Sequence, residues 1–193
     1  LGFAYFFFLL AAYYVIRPVR DQLSAAVGSI ELPVFYSVTF VVTLALTPLF
    51  GALVARFQRR RFVPVVYAFF LAGMLAFIPL FQEQGQIGAR LLGTVFFVWV
   101  SVFNLFVVAV FWSFMADLFD PEQSRRLFPL IALGGPLGAI VGPILTRELV
   151  FRVGVSGLLC ISAVMLAATL ACIFALLRWS RAHPRSGTWK SST

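Results

Sequence analysis

Two arginines and an aspartate, Arg17, Arg20 and Asp21, follow an apolar stretch that begins at Leu1. Charge at the edge of a membrane span costs free energy and reads by default as functional. If the stretch is a helix that continues past Pro18, the helical period puts Tyr13, Arg17, Arg20 and Asp21 on one face. Pro18 removes one backbone donor there and loosens the helix. Two guanidiniums one turn apart can hold an anion, because their planar forks match carboxylate and phosphate oxygens with paired hydrogen bonds. The plainer reading is a loop outside the bilayer, with Arg17 snorkelling to the interface.

Three other groups of residues invite the same weighing. Ser101, Asn104, Val108, Trp112 and Met115 recur at helical spacing in an apolar run. Asn104 is the one strongly polar side chain deep in that run, equally suited to lining a cavity or to bonding between helices. Trp112 could stack a ring, though packing is the simpler role in so aromatic a chain. Asp117, Asp120, Glu122, Arg125 and Arg126 form a charged cluster, either solvated or a lock on one conformation of a bistable fold. The run "GGPLGAIVGP", with Gly134, Gly135, Pro136, Gly138, Gly142 and Pro143, suits close helix packing and hinging.

No catalytic group or metal set can be assembled. His183 is the single histidine, and Cys160 and Cys172 share one apolar run. They would stand about 120° apart on a helix, too far round to bridge. No phosphate-cradling glycine loop followed by Lys-Ser/Thr is present, so ATP-driven pumping by this chain has no support. The reading is of a protein that is not an enzyme and needs no cofactor.

The elements that carry these residues follow from composition. The chain has 193 residues, 62% hydrophobic and 11% charged, with mean hydropathy +1.00. A soluble domain is about half apolar and a quarter charged. Lipid is the solvent that tolerates this excess, and it demands helices or closed barrels. A crossing helix needs about 20 apolar residues. Six candidates emerge, at about 1–16, 33–55, 62–81, 91–118, 127–150 and 155–179, with a polar cytoplasmic tail at 180–193. The expectation is an all-α integral membrane bundle of six helices, 1–179.

The formal charge of +8 sits in short clusters between apolar runs, as topology determinants do, and nucleic acid is not indicated as a partner. Arg56, Arg59, Arg60, Arg61, Arg125, Arg126, Arg178, Arg181, Arg185 and Lys190 fall on one side. Arg17, Arg20, Arg90, Arg147 and Arg152 fall on the other. The richer side, with both termini, belongs in the cytoplasm.

"TPLFGALVARF", which contains Pro48, and "GPLGAIVGPIL" both place Pro-Leu before a Gly-Ala step. Helices one and four both end in charged, proline-bearing turns. Helices one to three and four to six then read as an inverted 3+3 repeat, a common transporter architecture.

"GALVARFQRRR" resembles the loop signature between helices two and three of the major facilitator superfamily. Gly51, Arg56, Arg60 and Arg61 match it, while Ala55 replaces its acidic residue and Gln58 its second glycine. Gly138, Gly142 and Pro143 are similar to the centre of the superfamily's fifth-helix motif. "YYVIRPVRD" and the segment from Phe96 to Phe128 resemble the bacterial ATP/ADP translocases and their relatives, with Arg20 in place of their lysine.

The resemblance implies the N-terminal half of a major-facilitator-type fold in a bacterial inner membrane. Helices one and four would line the cavity, two and five would meet the other half, and three and six would face lipid. Arg20, with Arg17 beside it, would contact nucleotide phosphate, and Gly51, Arg56, Arg60 and Arg61 would form a gating loop. The start at Leu1 and the missing second bundle read as a fragment, completed by a C-terminal half or by a second copy. The expected function is transport of an organic anion, with ATP/ADP exchange as the specific case. A carrier of lipids, drugs or peptides and a non-transporting scaffold are the alternatives.

Overall fold

The computed structural model describes residues 1–26, 32–56, 59–82, 86–119 and 121–182. They form six helical segments: α1 Gly2–Ala26, α2 Leu32–Arg56, α3 Arg59–Gln82, α4 Gln86–Leu118, α5 Pro121–Ala132 and α6 Gly134–Ala182. In lipid every backbone N–H must find its partner within the segment, and long apolar runs meet that demand as helices. Gly2–Leu23, Phe62–Gln82, Leu91–Leu118 and Glu122–Ser180 are long and apolar enough to cross a membrane. α2 carries a shorter apolar stretch, Tyr36–Pro48. The chain is an all-α membrane protein.

α1 is the most enclosed of these helices. It packs against α4, α5 and α6, and α4 in turn packs against α2 and α3. Ring contacts fix the direction of each helix. Tyr5 meets Phe111 edge-on with centroids 4.7 Å apart, and Tyr13 meets Phe103 at 6.4 Å, so α1 and α4 run antiparallel. Along α3 the Tyr67 hydroxyl donates to the Val107 carbonyl oxygen at 2.8 Å, while Phe77 meets Phe96 at 5.1 Å. Thus α3 is also antiparallel to α4. Near the start of α2, Tyr36 sits edge-on to Phe97 at 5.7 Å.

α6 is a hairpin rather than a rod. The Thr146 hydroxyl donates to the Val15 carbonyl oxygen at 2.9 Å, and the Ser162 hydroxyl donates to that of Ala12 at 2.8 Å. In a straight helix residues 146 and 162 would lie about 24 Å apart, whereas Ala12 and Val15 are separated by only ~4.5 Å of rise. The chain therefore doubles back between them. Gly154 makes the reversal alone, with φ 65° and ψ −171°. That region is open in practice to glycine only.

The arm 134–153 is docked on α1 through its glycines. A Cβ on Gly134 would lie 2.6 Å from the Phe3 carbonyl oxygen, and one on Gly138 would lie 2.6 Å from that of Phe7. Gly142 meets Tyr14 in the same way, at 2.6 Å from its Cβ. Without a solvent-driven hydrophobic effect between helices, such backbone approach and the two hydroxyl bonds are what holds them together. The arm 155–182 buries a longer stripe that includes Leu158, Leu159, Leu166 and Ile173.

Several boundaries differ from those the sequence suggests. The first helix runs on through Pro18 to Ala26, so Arg17, Arg20 and Asp21 are helical rather than in a loop. The fourth begins at Gln86 and the last extends to Ala182. The expected helix 127–150 is divided by a turn at Leu133 between α5 and α6. Pro136 lacks the N–H that a continuous helix would aim at Ala132, which opens the ladder there. The Leu133 and Leu137 amides still donate, to Pro129 and Leu133 carbonyls, at 3.2 and 3.4 Å. The expected loop between the last two spans is the single residue Gly154. Residues 183–193, most of the expected tail, lie outside the described residues.

Candidate functional site

The charged end of α1 is a connected cluster. Arg20 donates to Asp21 Oδ1 from Nε at 2.9 Å and from Nη2 at 2.7 Å. Arg17 Nε lies 3.7 Å from the other carboxylate oxygen of Asp21. Each guanidinium also rests on an aromatic face, Arg20 on Phe97 at 5.1 Å and Arg17 on Tyr14 at 5.5 Å. A cation over a ring is attracted by the ring's negative face, more so where water is scarce. The Arg20 side chain is 15% exposed and that of Arg17 45%, so the first is anchored and the second faces outward.

A cavity of about 490 Å³ opens beside this cluster, lined by Tyr14, Arg17, Pro18, Asp21, Gln22 and Pro143. Small-molecule sites are commonly about 300–1,000 Å³. Pro143 comes from the arm 134–153, which the glycine row brings close enough to form the opposing wall. Pro18 has no N–H to offer the Tyr14 carbonyl, so that oxygen lacks its usual helical donor at the cavity edge.

The residues singled out from the sequence do not all meet here. Tyr13 is buried against Phe103 and Tyr14, and its neighbour Tyr14 lines the cavity instead. Asn104 is half-buried on α4 and is not among the lining residues. Trp112 packs between Phe6 at 5.4 Å and Phe128 at 5.6 Å. Along α4 it lies about 22 Å from the level of Phe97, at ~1.5 Å per residue. Asp117 is exposed at the end of α4, and Arg125 and Arg126 are exposed on α5. Asp120 lies outside the described residues.

Arg56 ends α2, and Arg60 and Arg61 lie in the first turn of α3, with their side chains outside the described residues. Gly51 has open space where a Cβ would be, and Pro48 is exposed on α2. Gly134, Gly135, Gly138 and Gly142 all lie at the contact with α1, and Pro136 begins the arm they stand on.

Tyr14, Gln22 and Phe97 are the contributors that the sequence reading did not use as site residues. Tyr14, Arg17, Pro18, Asp21 and Gln22 share their own helical face, offset slightly from that of Tyr13, and that spacing was the available signal. Phe97 comes from a distant helix and had none. Among the described residues no group of histidine, cysteine and carboxylate side chains could hold a metal. Compared with protein-family models, curated proteins and solved structures, the chain matches none.

Proposed function

We propose that this chain is one half of a secondary transporter that carries an organic anion across a bacterial inner membrane by alternating access. The observation that carries the reading is the Arg17–Arg20–Asp21 cluster beside an open cavity at the edge of a membrane-crossing helix. Two guanidiniums and one carboxylate leave one net positive charge for a ligand. An arriving carboxylate or phosphate takes over guanidinium donors that Asp21 holds in its absence, and charge-assisted bonds of this kind are strong and geometry-specific. Nucleotide exchange of the ATP/ADP type is the specific case, suggested by the resemblance of "YYVIRPVRD" to the translocases.

The packing order supports a six-crossing half with an internal inverted repeat. Count α1 to α4 and the two arms of α6 as crossings. α1 then packs on the last two, α4 packs on α2 and α3, and α1–α4 and α3–α6 contacts join the sets. Exchange of the first three crossings with the last three keeps the α1–α4 contact and matches α1 on the last two with α4 on α2 and α3. Inverted repeats of this kind flank midplane sites in many carriers. A second bundle, from the same polypeptide or another copy, would complete the pathway, with both termini of this half in the cytoplasm as the arginine distribution favours.

The test is exchange of labelled ATP and ADP by the protein reconstituted in liposomes, wild type against Arg20→Ala. Exchange that falls at least tenfold in the variant supports the reading. Uptake of another organic anion, sensitive to Arg20 but indifferent to ATP and ADP, keeps the carrier and removes the nucleotide. If Arg17→Ala and Arg20→Ala together change no anion binding or flux, a non-transporting scaffold replaces it.

A further inference from the structure

The arm 134–153 carries a third arginine to the height of the α1 cluster. Gly134 lies against Phe3, Gly138 against Phe7 and Gly142 against Tyr14, so this arm runs parallel to α1. The bond from the Thr146 hydroxyl to the Val15 carbonyl oxygen sets their relative height. Arg147 directly follows Thr146, and Arg17 is the second residue after Val15, so the two stand within ~3 Å of one another along the helix axes. Pro143, which lines the cavity, precedes Arg147 by one turn on the same face. Glu148 is turned about 140° round the arm from Pro143. Arg147 is exposed, and among the described residues no ion pair or hydrogen bond engages its guanidinium. One turn, ~5.4 Å, is a distance that a long arginine stem covers.

This height is also the edge of the bilayer. From Leu127 in α5 to Thr146 the chain has no charged residue, with Arg126 before the run and Arg147 after it. At ~1.5 Å per residue the run measures about 30 Å, the thickness of the hydrocarbon core. Leu130, Leu137, Ile140 and Ile144 are exposed along it. Tyr36, exposed on α2 and edge-on to the Phe97 that underlies Arg20, adds an aromatic ring at the same boundary. The cavity therefore opens in the headgroup layer, where a water-borne anion arrives without crossing hydrocarbon.

Building on the anion site proposed above, we infer that Arg147 is its third cation, and that the site selects a phosphate monoester over singly charged anions. Arg17, Arg20 and Asp21 leave one net positive charge, and Arg147 raises it to two. A phosphate monoester carries close to two negative charges above neutral pH, with three oxygens to share among the guanidinium forks. A carboxylate carries one, and so does a phosphodiester, the form found in most phospholipid headgroups. That single charge is matched without Arg147.

The test is titration calorimetry of the protein in non-ionic detergent at about pH 8, with methyl phosphate and dimethyl phosphate as probes. The wild type is expected to bind methyl phosphate about tenfold more tightly than dimethyl phosphate, or better. Arg147→Gln lowers that preference to about threefold or less and leaves dimethyl phosphate binding within about twofold, whereas Arg147→Lys keeps most of the preference. Arg147 is exposed, so neither replacement disturbs packing. Arg152→Gln removes another exposed arginine, ~7.5 Å further along the arm, and leaves the preference intact.

An unchanged preference in Arg147→Gln, or an equal loss in Arg152→Gln, overturns the inference and leaves the anion site standing. Failure of the wild type to bind either ester overturns the site itself, and this inference with it. So does an Arg17→Gln variant that binds both esters as the wild type does.

Discussion

Arg20 and Asp21 are joined by two hydrogen bonds that end on the same carboxylate oxygen, at 2.9 and 2.7 Å. The second oxygen faces Arg17. Asp21 therefore acts as an internal counter-ion for both cations, and a soluble anion must compete with it. Asp21→Asn is expected to tighten anion binding by about 1.4- to fivefold, the scale of the ~0.2–1 kcal/mol of a half-exposed ion pair. Titration calorimetry with an organic phosphate at low and high salt measures it. Weaker binding in the variant would make Asp21 a ligand-orienting group instead.

Two glycines separate packing from mere helix composition. At Gly138 a Cβ would press on the Phe7 carbonyl oxygen and the Ala11 nitrogen, at 2.6 and 2.8 Å, and backbone atoms cannot turn aside. Gly138→Ala should cost about 1–3 kcal/mol, as overpacking does. Gly51 has nothing within 4 Å of that position, so Gly51→Ala should leave stability unchanged or raise it by up to ~1 kcal/mol. Thermal unfolding in detergent reads both.

The Gly154 reversal can be tested alone. No side chain would clash there, since nothing lies within 4 Å of its Cβ position, so any loss comes from the backbone angles. Gly154→Ala is expected to cost about 1–3 kcal/mol, the range for backbone strain. A melting temperature equal to wild type would mean that the arms can meet through another turn.

Trp112 and Arg20 should separate packing from binding. Trp112 is wedged between Phe6 and Phe128 far from the cavity, so Trp112→Phe is expected to leave anion affinity within about twofold. Arg20→Ala should weaken it at least tenfold, about 1.4 kcal/mol. Parallel binding curves decide it, and a large loss in Trp112→Phe would extend the site along α4.

Much of this architecture is legible in the residues because lipid imposes it. Apolar length announces α1, α3 and α4, and the charges of Arg17, Arg20 and Asp21 stand out against it. The glycine run announces a tight contact, though not that its partner is Phe3, Phe7 and Tyr14 of α1, since small residues show that something comes close without showing what. Tyr13 and Tyr14 were indistinguishable by type, and the rotation of α1 against α4 decides which one is enclosed. The split at Leu133 was hidden by continuous hydropathy across a proline whose effect is on hydrogen bonding. Phe97, under the Arg20 guanidinium, could not be found at all from chain order.

The one-residue reversal at Gly154 leaves no connecting segment between the two arms, so that vertex offers no loop of its own for a protease, an antibody or a glycan to seize. Lengthening that vertex with an inserted tag would slacken the pair, and with it the wall that Pro143 contributes to the cavity.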